Sequence, residues 1–252
     1  MRLIGEVRAV HQESNGSAGA RTIANIVTVR GIPLSRYRVG RLMKELKLVS
    51  CQLPNHRYNK APQSHVVISN QLDRQFDVTR PNAVWCGDVT YIWAGHRWAY
   101  LAVVIGLYVR KPVGWAISLS PDSELTGKAL TMSFEARGKP QGLMSRSDQG
   151  CHYTSRKFRH LLWRYKIKQS MSRRGNCWAS LPHEVLGYNA PMERFFRRLK
   201  TEWIPTLGYQ NFTEAKYAIR NYIVGYYSQT RPHLYNDGLS PSAAERKYEI
   251  SY

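Results

Sequence analysis

The sequence predicts an α/β fold, because a strand-rich block in its middle is followed by alternating helical and strand patterns. Segments 84–93, 98–109 and 113–118 are rich in β-branched and aromatic residues and are separated by short turns. Beyond them the apolar spacing is helical over 123–137 and 155–165, and strand-like over 143–147 and 167–171. Three antiparallel strands followed by this alternation is the order of an RNase H-like fold. We therefore expect a mixed five-stranded sheet with helices packed on it.

The composition indicates a globular protein with a polyanionic partner. Of 252 residues, 37 are Lys or Arg and 17 are Asp or Glu, which gives a formal net charge of +20. A hydrophobic content of 43% excludes a mainly disordered chain. The sequence holds no apolar run of 18 residues, which excludes a transmembrane helix. Four cysteines without a CxxC pair argue against a zinc ribbon, and together with the lack of a signal peptide they favour a reduced, cytoplasmic protein.

The N-terminal residues predict a small helical module over 1–60, followed by a polar linker over 61–80. Helices are expected at 3–13, 20–29 and 36–46, the last of them capped by Ser35. Its outward side carries Arg36, Arg38 and Arg41, as in the DNA-contacting helix of a helix-turn-helix module. The predicted core spans 81–205, with a helix over 189–203. Residues 206–252 are expected to form a helical tail of that core, with a helix at 213–227 and a loop at 231–241. Trp85, Tyr91 and Trp98 are expected in the core of the sheet.

Two acidic residues stand at positions suited to chemistry on a nucleic acid. Asp88 lies inside an apolar strand, where an unpaired carboxylate is costly, and Asp148 ends a strand. Clustered carboxylates bind Mg²⁺ well, and two such ions can stabilise the attacking and leaving oxygens of a phosphodiester. The alternative is structural: Asp88 pairs with an arginine, and Asp148 caps a turn.

Longer strings resemble one family, the OrfB transposases of two-reading-frame bacterial insertion sequences. The resemblance rests on WCGDVTYIWAGHRWAYLAVVIGLYVRKPVGWA, SDQGCHYTSRKF, SMSRRGNCW and NAPMERFFRRLKTEW in the core. It extends to GIPLSRYRVGRLMKELKLVSCQ near the N-terminus and YIVGYYSQTRPHLYNDGLSPSAAER in the tail. It implies a DNA transposase with an integrase-type core that nicks DNA at the ends of its element and transfers the strands to a target.

The family's metal-binding triad is Asp, Asp, Glu, and its third member has two candidates here. Asp88 and Asp148 match the first two members. The family spacing of 35 intervening residues selects Glu184, whereas the P-M-E-R-F-F motif selects Glu193. Ten residues, 179–188, stand where the family pattern has one, and removing the nine extra residues restores the spacing for Glu193. A helix through Glu193 would also place Arg197 and Lys200 on its side, and we therefore favour Glu193 over Glu184.

The resemblance further implies a cofactor, partners and DNA contacts. Two Mg²⁺ ions, for which Mn²⁺ can substitute, would be held by the triad. The partners would be terminal inverted repeats, target DNA, the upstream-frame OrfA product and further copies of this chain, in a nucleoid-associated bacterial protein. DNA contacts are expected from a set of basic and amide side chains: Lys200, Arg197, Arg173, Arg174 and Asn176.

Three departures from the family pattern raise a second hypothesis. Gly106 replaces an expected Asp, Arg146 replaces an expected His, and residues 179–188 form the insertion. Because carboxylates must converge closely on bound ions, these changes could impair the site. The alternative function is a catalytically impaired transposase remnant that acts only as a DNA-binding protein.

Overall fold

The computed structural model describes residues 2–51, 78–148, 151–171 and 190–251, in which contacts define two units. The first combines Met1–His56 with Arg197–Tyr252, and the second is Arg57–Phe196. The sequence analysis placed 206–252 with the core, whereas these residues group with the N-terminal helices. The domain boundaries derived from the sequence stay a prediction.

The second unit contains the predicted mixed sheet of five strands. The strands are β1 (Val84–Ala94), β2 (Arg97–Gly106), β3 (Lys111–Ser118), β4 (Met144–Ser147) and β5 (Lys168–Met171). Their order is β3-β2-β1-β4-β5. β1, β2 and β3 pair antiparallel, whereas β1 with β4 and β4 with β5 pair parallel. This confirms the RNase H-like order that the sequence predicts.

Among the described residues, three helices lie wholly within this unit: α4 (Ser123–Ala136), α5 (Cys151–Thr154) and α6 (Arg156–Arg164). Asp122 caps α4 by accepting a 2.9 Å hydrogen bond from the Leu125 amide. Apolar side chains of α4 and α6, such as Leu130 and Leu162, pack with Trp85 and Val104 of the sheet in one buried cluster. Each such side chain contributes about 1.5–3 kcal/mol when fully buried, so this cluster holds the sheet and helices together.

The hairpin formed by β1 and β2 corrects one expectation. Trp85 is fully buried as expected, but Tyr91 is 56% exposed and Trp98 is 46% exposed. Their rings meet edge to face, with centroids 5.0 Å apart. The two side chains therefore stabilise the hairpin from its solvent side. Placing them in the core was wrong.

The first unit begins with the three expected helices, α1 (Arg2–Glu13), α2 (Ala20–Val29) and α3 (Arg36–Glu45). Buried Val10, Ile23, Val27 and Val39 are part of its apolar cluster. The predicted cap is confirmed, since the Ser35 hydroxyl accepts a 3.3 Å hydrogen bond from the Arg38 amide.

The C-terminal segments begin with a helix that runs from the second unit into the first. They are α7 (Ala190–Glu202), α8 (Phe212–Arg220), a π-helical stretch (Asn221–Thr230), a 3₁₀ turn (Leu234–Asn236) and α9 (Pro241–Ser251). The expected loop at 231–241 contains the short turn, and α9 was not predicted. No helix among the described residues is long and apolar enough to cross a membrane.

A buried ion pair fixes the tail within the first unit. The Arg231 guanidinium donates from Nε and Nη2 to the Glu202 carboxylate at 2.8 and 2.5 Å. The Tyr222 hydroxyl donates to the same carboxylate at 3.3 Å. Removing one partner of such a pair costs about 3–5 kcal/mol, because the other charge stays buried. Arg231 of the tail motif is therefore a structural residue here.

Candidate active site

Adjacent parallel strands bring two of the predicted acids side by side. β1 and β4 pair in the register Val84 with Met144 through Cys86 with Arg146. Asp88 and Asp148 each follow that last pair by two residues. Both carboxylates consequently lie at the same level of the sheet, Asp88 half-buried and Asp148 exposed.

The charges of Asp148 and Glu193 both influence the ionisation of Asp88. The pKa of Asp88 is raised to about 7, mainly by burial and further by repulsion from Asp148 and Glu193. The Val89 amide opposes this by donating a 2.8 Å hydrogen bond to Oδ1. Asp148 and Glu193 therefore make the surroundings of Asp88 more negative.

Glu193 reaches this region from the first turn of α7, where its side chain is exposed. Phe195, Phe196 and Leu199 form an apolar side of the helix, and all three are buried. Arg197 follows Glu193 by one turn and is exposed. Lys200 is half-buried, and burial lowers its pKa.

The carboxylates fit a divalent cation by their chemistry, although they are not closed around one. Within the described ranges, no three acidic, His or Cys side chains stand close enough to hold a metal ion. Oxygen donors are the ligands that Mg²⁺ prefers. The mutual repulsion of Asp88, Asp148 and Glu193 is what a bound cation would relieve.

Tyr153 is a site residue that the sequence analysis did not identify. It is buried on α5, and a Cβ placed on Gly87 would lie 3.3 Å from its hydroxyl. Burial raises the pKa of Tyr153, and Asp88 and Asp148 raise it further. The lack of a side chain at Gly87 thus allows the ring to lie against β1 directly before Asp88. Its position five residues after Asp148, in SDQGCHY, was the available signal.

Two of the three departures from the family pattern can be located. Gly106 ends β2 opposite Trp85, and an added Cβ there would make ordinary contacts of 3.6–3.8 Å. Arg146 is buried in β4 beside Cys86, where its charge opposes the burial that raises the pKa of Cys86 to about 12. The backbone therefore has room for a Cβ atom at position 106.

The other predicted contact residues divide into two sets. Arg36, Arg38 and Arg41 lie exposed on α3, and the Arg36 guanidinium stacks 4.7 Å above the Tyr37 ring. The second set lies outside the described residues, as does the 179–188 insertion. This set consists of Arg173, Arg174, Asn176 and Glu184. The choice between Glu193 and Glu184 accordingly stays a prediction.

The chain matches known families of domains in both its N-terminal helices and its sheet-containing unit. Models of an integrase core domain match residues 78–177 and 193–247, and a model of an HTH-like domain matches residues 1–56. The transposase for insertion sequence element IS904 of Lactococcus lactis is 32% identical over 243 residues, which cover 96% of this chain and 92% of that protein.

The chain is also similar to a second transposase and to the catalytic core of a viral integrase. The putative transposase InsO for insertion sequence element IS911B of Escherichia coli is 63% identical over 142 residues, covering 56% of this chain and 72% of that protein. The catalytic core domain of HTLV-2 integrase in complex with magnesium has a TM-score of 0.44 at 18% identity, covering 66% of this chain and 98% of that one.

The fold and the family matches together define an integrase-type polynucleotidyl transferase. More narrowly, the chain belongs to the insertion-sequence transposases, since its relationship to the IS904 transposase extends over nearly the full length of both proteins. The resemblance inferred from the sequence is therefore confirmed at the level of the family.

Proposed function

We propose that the chain nicks DNA at the ends of its insertion sequence and transfers the strands to a target, with Asp88, Asp148 and Glu193 as the acting carboxylates. The observation that supports this is the raised pKa of Asp88, to which both other carboxylates contribute. Three like charges directed at one place on a basic protein cost stability unless a cation or substrate uses them. A purely structural role for Asp88 would leave the repulsion between the carboxylates without a cation or substrate to offset it.

Asp88, Asp148 and Glu193 would hold divalent cations, two Mg²⁺ ions with Mn²⁺ as a substitute. Bound ions would supply stabilisation of the negative charge that develops on the phosphate oxygens during in-line transfer. The chain's own part is positioning: two adjacent strands fix Asp88 and Asp148, and the buried side of α7 fixes the direction of Glu193. Arg197, one turn along α7, would contact the backbone of the bound DNA, and so would Lys200.

The proposed partners follow from the surface charge and the family. Terminal inverted repeats and target DNA would contact Arg36, Arg38 and Arg41 of α3. Arg173, Arg174 and Asn176 are further candidate contacts. Cooperation with an OrfA product, assembly of several copies on paired ends, and association with the bacterial nucleoid belong to the same proposal.

The decisive experiment measures Mg²⁺-dependent nicking and strand transfer on labelled element-end DNA. Asp88→Asn, Asp148→Asn and Glu193→Gln should each lower the rate by at least about 10³-fold, because each removes one member of a unit. Glu184→Gln is the matched control and should leave the rate within a few-fold of the wild type. Loss of activity in Glu184→Gln alone would instead identify Glu184 as the third acid.

The alternative, a remnant that only binds DNA, predicts a different result. The wild type would then bind end DNA without cutting it at any Mg²⁺ or Mn²⁺ concentration. The missing carboxylate at Gly106 is the observation that favours this alternative, and the ordinary contacts of an added Cβ make the reverse substitution practicable. Gly106→Asp, with and without deletion of the nine extra residues, would then be tested for recovery of cutting.

A further inference from the structure

The outer side of α6 is an exposed basic surface that the proposed function does not use. Successive residues of a helix are separated by about 100°, so residues three or four apart lie on the same side. The exposed residues on the outer side of α6 are Arg156, Arg159, His160, Trp163 and Arg164. Trp163 is 77% exposed, and its ring stacks with that of His160 at a centroid distance of 5.8 Å. We call these five residues the α6 surface.

Its charge is of one sign. Residues 151–171 contain six Lys and Arg and no Asp or Glu. Within the part of the chain that the structure describes, no carboxylate pairs with Arg156, Arg159 or Arg164. Arginines that pair with no carboxylate of the described chain bind a polyanion readily, because counterions are released when the two meet.

An anionic membrane is the other polyanionic partner, and the packing of α6 argues against it. A helix that lies on a membrane inserts its apolar face into the lipid. Here Phe158 and Leu162 form that face, and both are buried in the cluster that joins α6 to the sheet. What remains on the α6 surface is three arginines and the rings of His160 and Trp163, which suits a nucleic acid better than a lipid surface.

We propose that the α6 surface binds duplex DNA along its phosphate backbone, as a contact separate from the carboxylates and from α3. The proposal rests on the proposed function only in that DNA is the substrate. Arg156 and Arg164 lie eight residues apart on one side of the helix, or about 12 Å along its axis. A strand of duplex DNA carries one phosphate per ~3.4 Å of axis, so both guanidinium groups can reach the same backbone. The Trp163 and His160 rings between them offer a flat surface to the sugars.

The test measures binding of the full-length chain to a random-sequence duplex across a salt series, in EDTA. The triple variant Arg156→Gln, Arg159→Gln, Arg164→Gln should bind about tenfold more weakly. Its slope of log affinity against log salt should be smaller by about 2–3, as expected for three lost phosphate contacts. Because EDTA prevents cutting, the result does not depend on whether the chain is catalytically active.

The matched control removes the same charge elsewhere, from exposed Lys216, Arg220 and Arg246 of α8 and α9. This control should keep the wild-type slope. An equal loss of slope in both triple variants would overturn the proposal, since it would show a general effect of net charge. An α6 variant that keeps wild-type DNA affinity but no longer binds anionic phosphatidylserine vesicles would overturn it in favour of a membrane contact.

Trp163 provides an independent readout. As a strongly exposed indole, it should be quenched by acrylamide in the free protein and shielded when DNA is bound. The shielded component should be absent from Trp163→Phe, and circular dichroism should show that both proteins are folded. Equal shielding in the wild type and in Trp163→Phe would mean that DNA covers other tryptophans and not the α6 surface. A single-stranded oligonucleotide bound more tightly than the duplex would overturn the assignment of duplex DNA.

Discussion

Ionised Asp88 lowers the stability of the metal-free protein. Its pKa lies at about 7 instead of the ordinary 3.8, because burial and two neighbouring carboxylates disfavour the ionised form. The folded protein therefore holds this proton more tightly than the unfolded chain does. The favourable contribution is complete below about pH 4 and is lost as the pH rises through 7.

Replacing this carboxyl by an amide should accordingly stabilise the metal-free protein at high pH. Asp88→Asn should raise the free energy of unfolding by about 2–4 kcal/mol at pH 8, by roughly 40% of that amount at pH 5, and by little near pH 4. Urea unfolding followed by circular dichroism in EDTA measures the difference. Glu135→Gln, on the exposed side of α4, is the control and should change stability little at either pH. A destabilised Asp88→Asn at pH 8 would contradict the assigned cost.

The sequence predicts three site carboxylates but not the residues around them. Asp88, Asp148 and Glu193 lie in motifs whose spacing can be read directly. Tyr153 could not be assigned because its importance depends on how closely α5 approaches Gly87, which is a tertiary property. Tyr91 and Trp98 were misplaced for a similar reason, since the sequence does not show which part of the hairpin the helices cover.

At the scale of elements, the contact between β3 and α4 depends on a missing side chain. A Cβ on Gly114 would lie 2.7 Å from the Ala129 carbonyl oxygen and would collide with the Ser133 hydroxyl. That hydroxyl already donates a 2.7 Å hydrogen bond to the Ala129 carbonyl. Strand and helix are therefore held at a separation that only glycine permits.

Gly114→Ala should destabilise the protein by about 1–3 kcal/mol or more, because backbone atoms of α4 cannot move aside as a flexible side chain could. Thermal unfolding gives the comparison. Gly127→Ala is the matched control on α4 itself, where the nearest atom to the added methyl group is 3.7 Å away. That substitution should stabilise the protein by about 0.5–1 kcal/mol. A neutral Gly114→Ala would mean that β3 and α4 adjust freely.

The elements that could be predicted are those with strong periodicity and clear ends. The five strands and α1 to α4, α6 and α7 follow the apolar spacing, and caps such as Ser35 mark where helices begin. α9 was missed because it starts at Pro241 after a turn-rich loop and has little apolar patterning. The π-helical stretch after α8 continues the predicted helix with a different hydrogen-bond pattern, which residue spacing does not reveal.

Basic charge is shared by both units of the molecule. Residues 1–56 and 197–252 together carry 17 basic and 8 acidic side chains, and residues 57–196 carry 20 and 9. Neither unit alone accounts for the net charge of +20. Binding to DNA should therefore involve contacts from each unit, with α3 supplying those of the first and the α6 surface contributing to those of the second.

Two separate contacts should give additive effects on binding of a random-sequence duplex. The α3 variant Arg36→Gln, Arg38→Gln, Arg41→Gln should lower the salt slope by about 2–3, as should the α6 variant, and the combined variant by about twice that amount. Additivity is expected because the two sets share no partner on the protein. On element-end DNA, the α3 variant should also lose preference over random duplex, whereas the α6 variant should keep it, since backbone contacts carry no sequence information. A combined variant no weaker than either triple variant would show that both surfaces compete for the same phosphates.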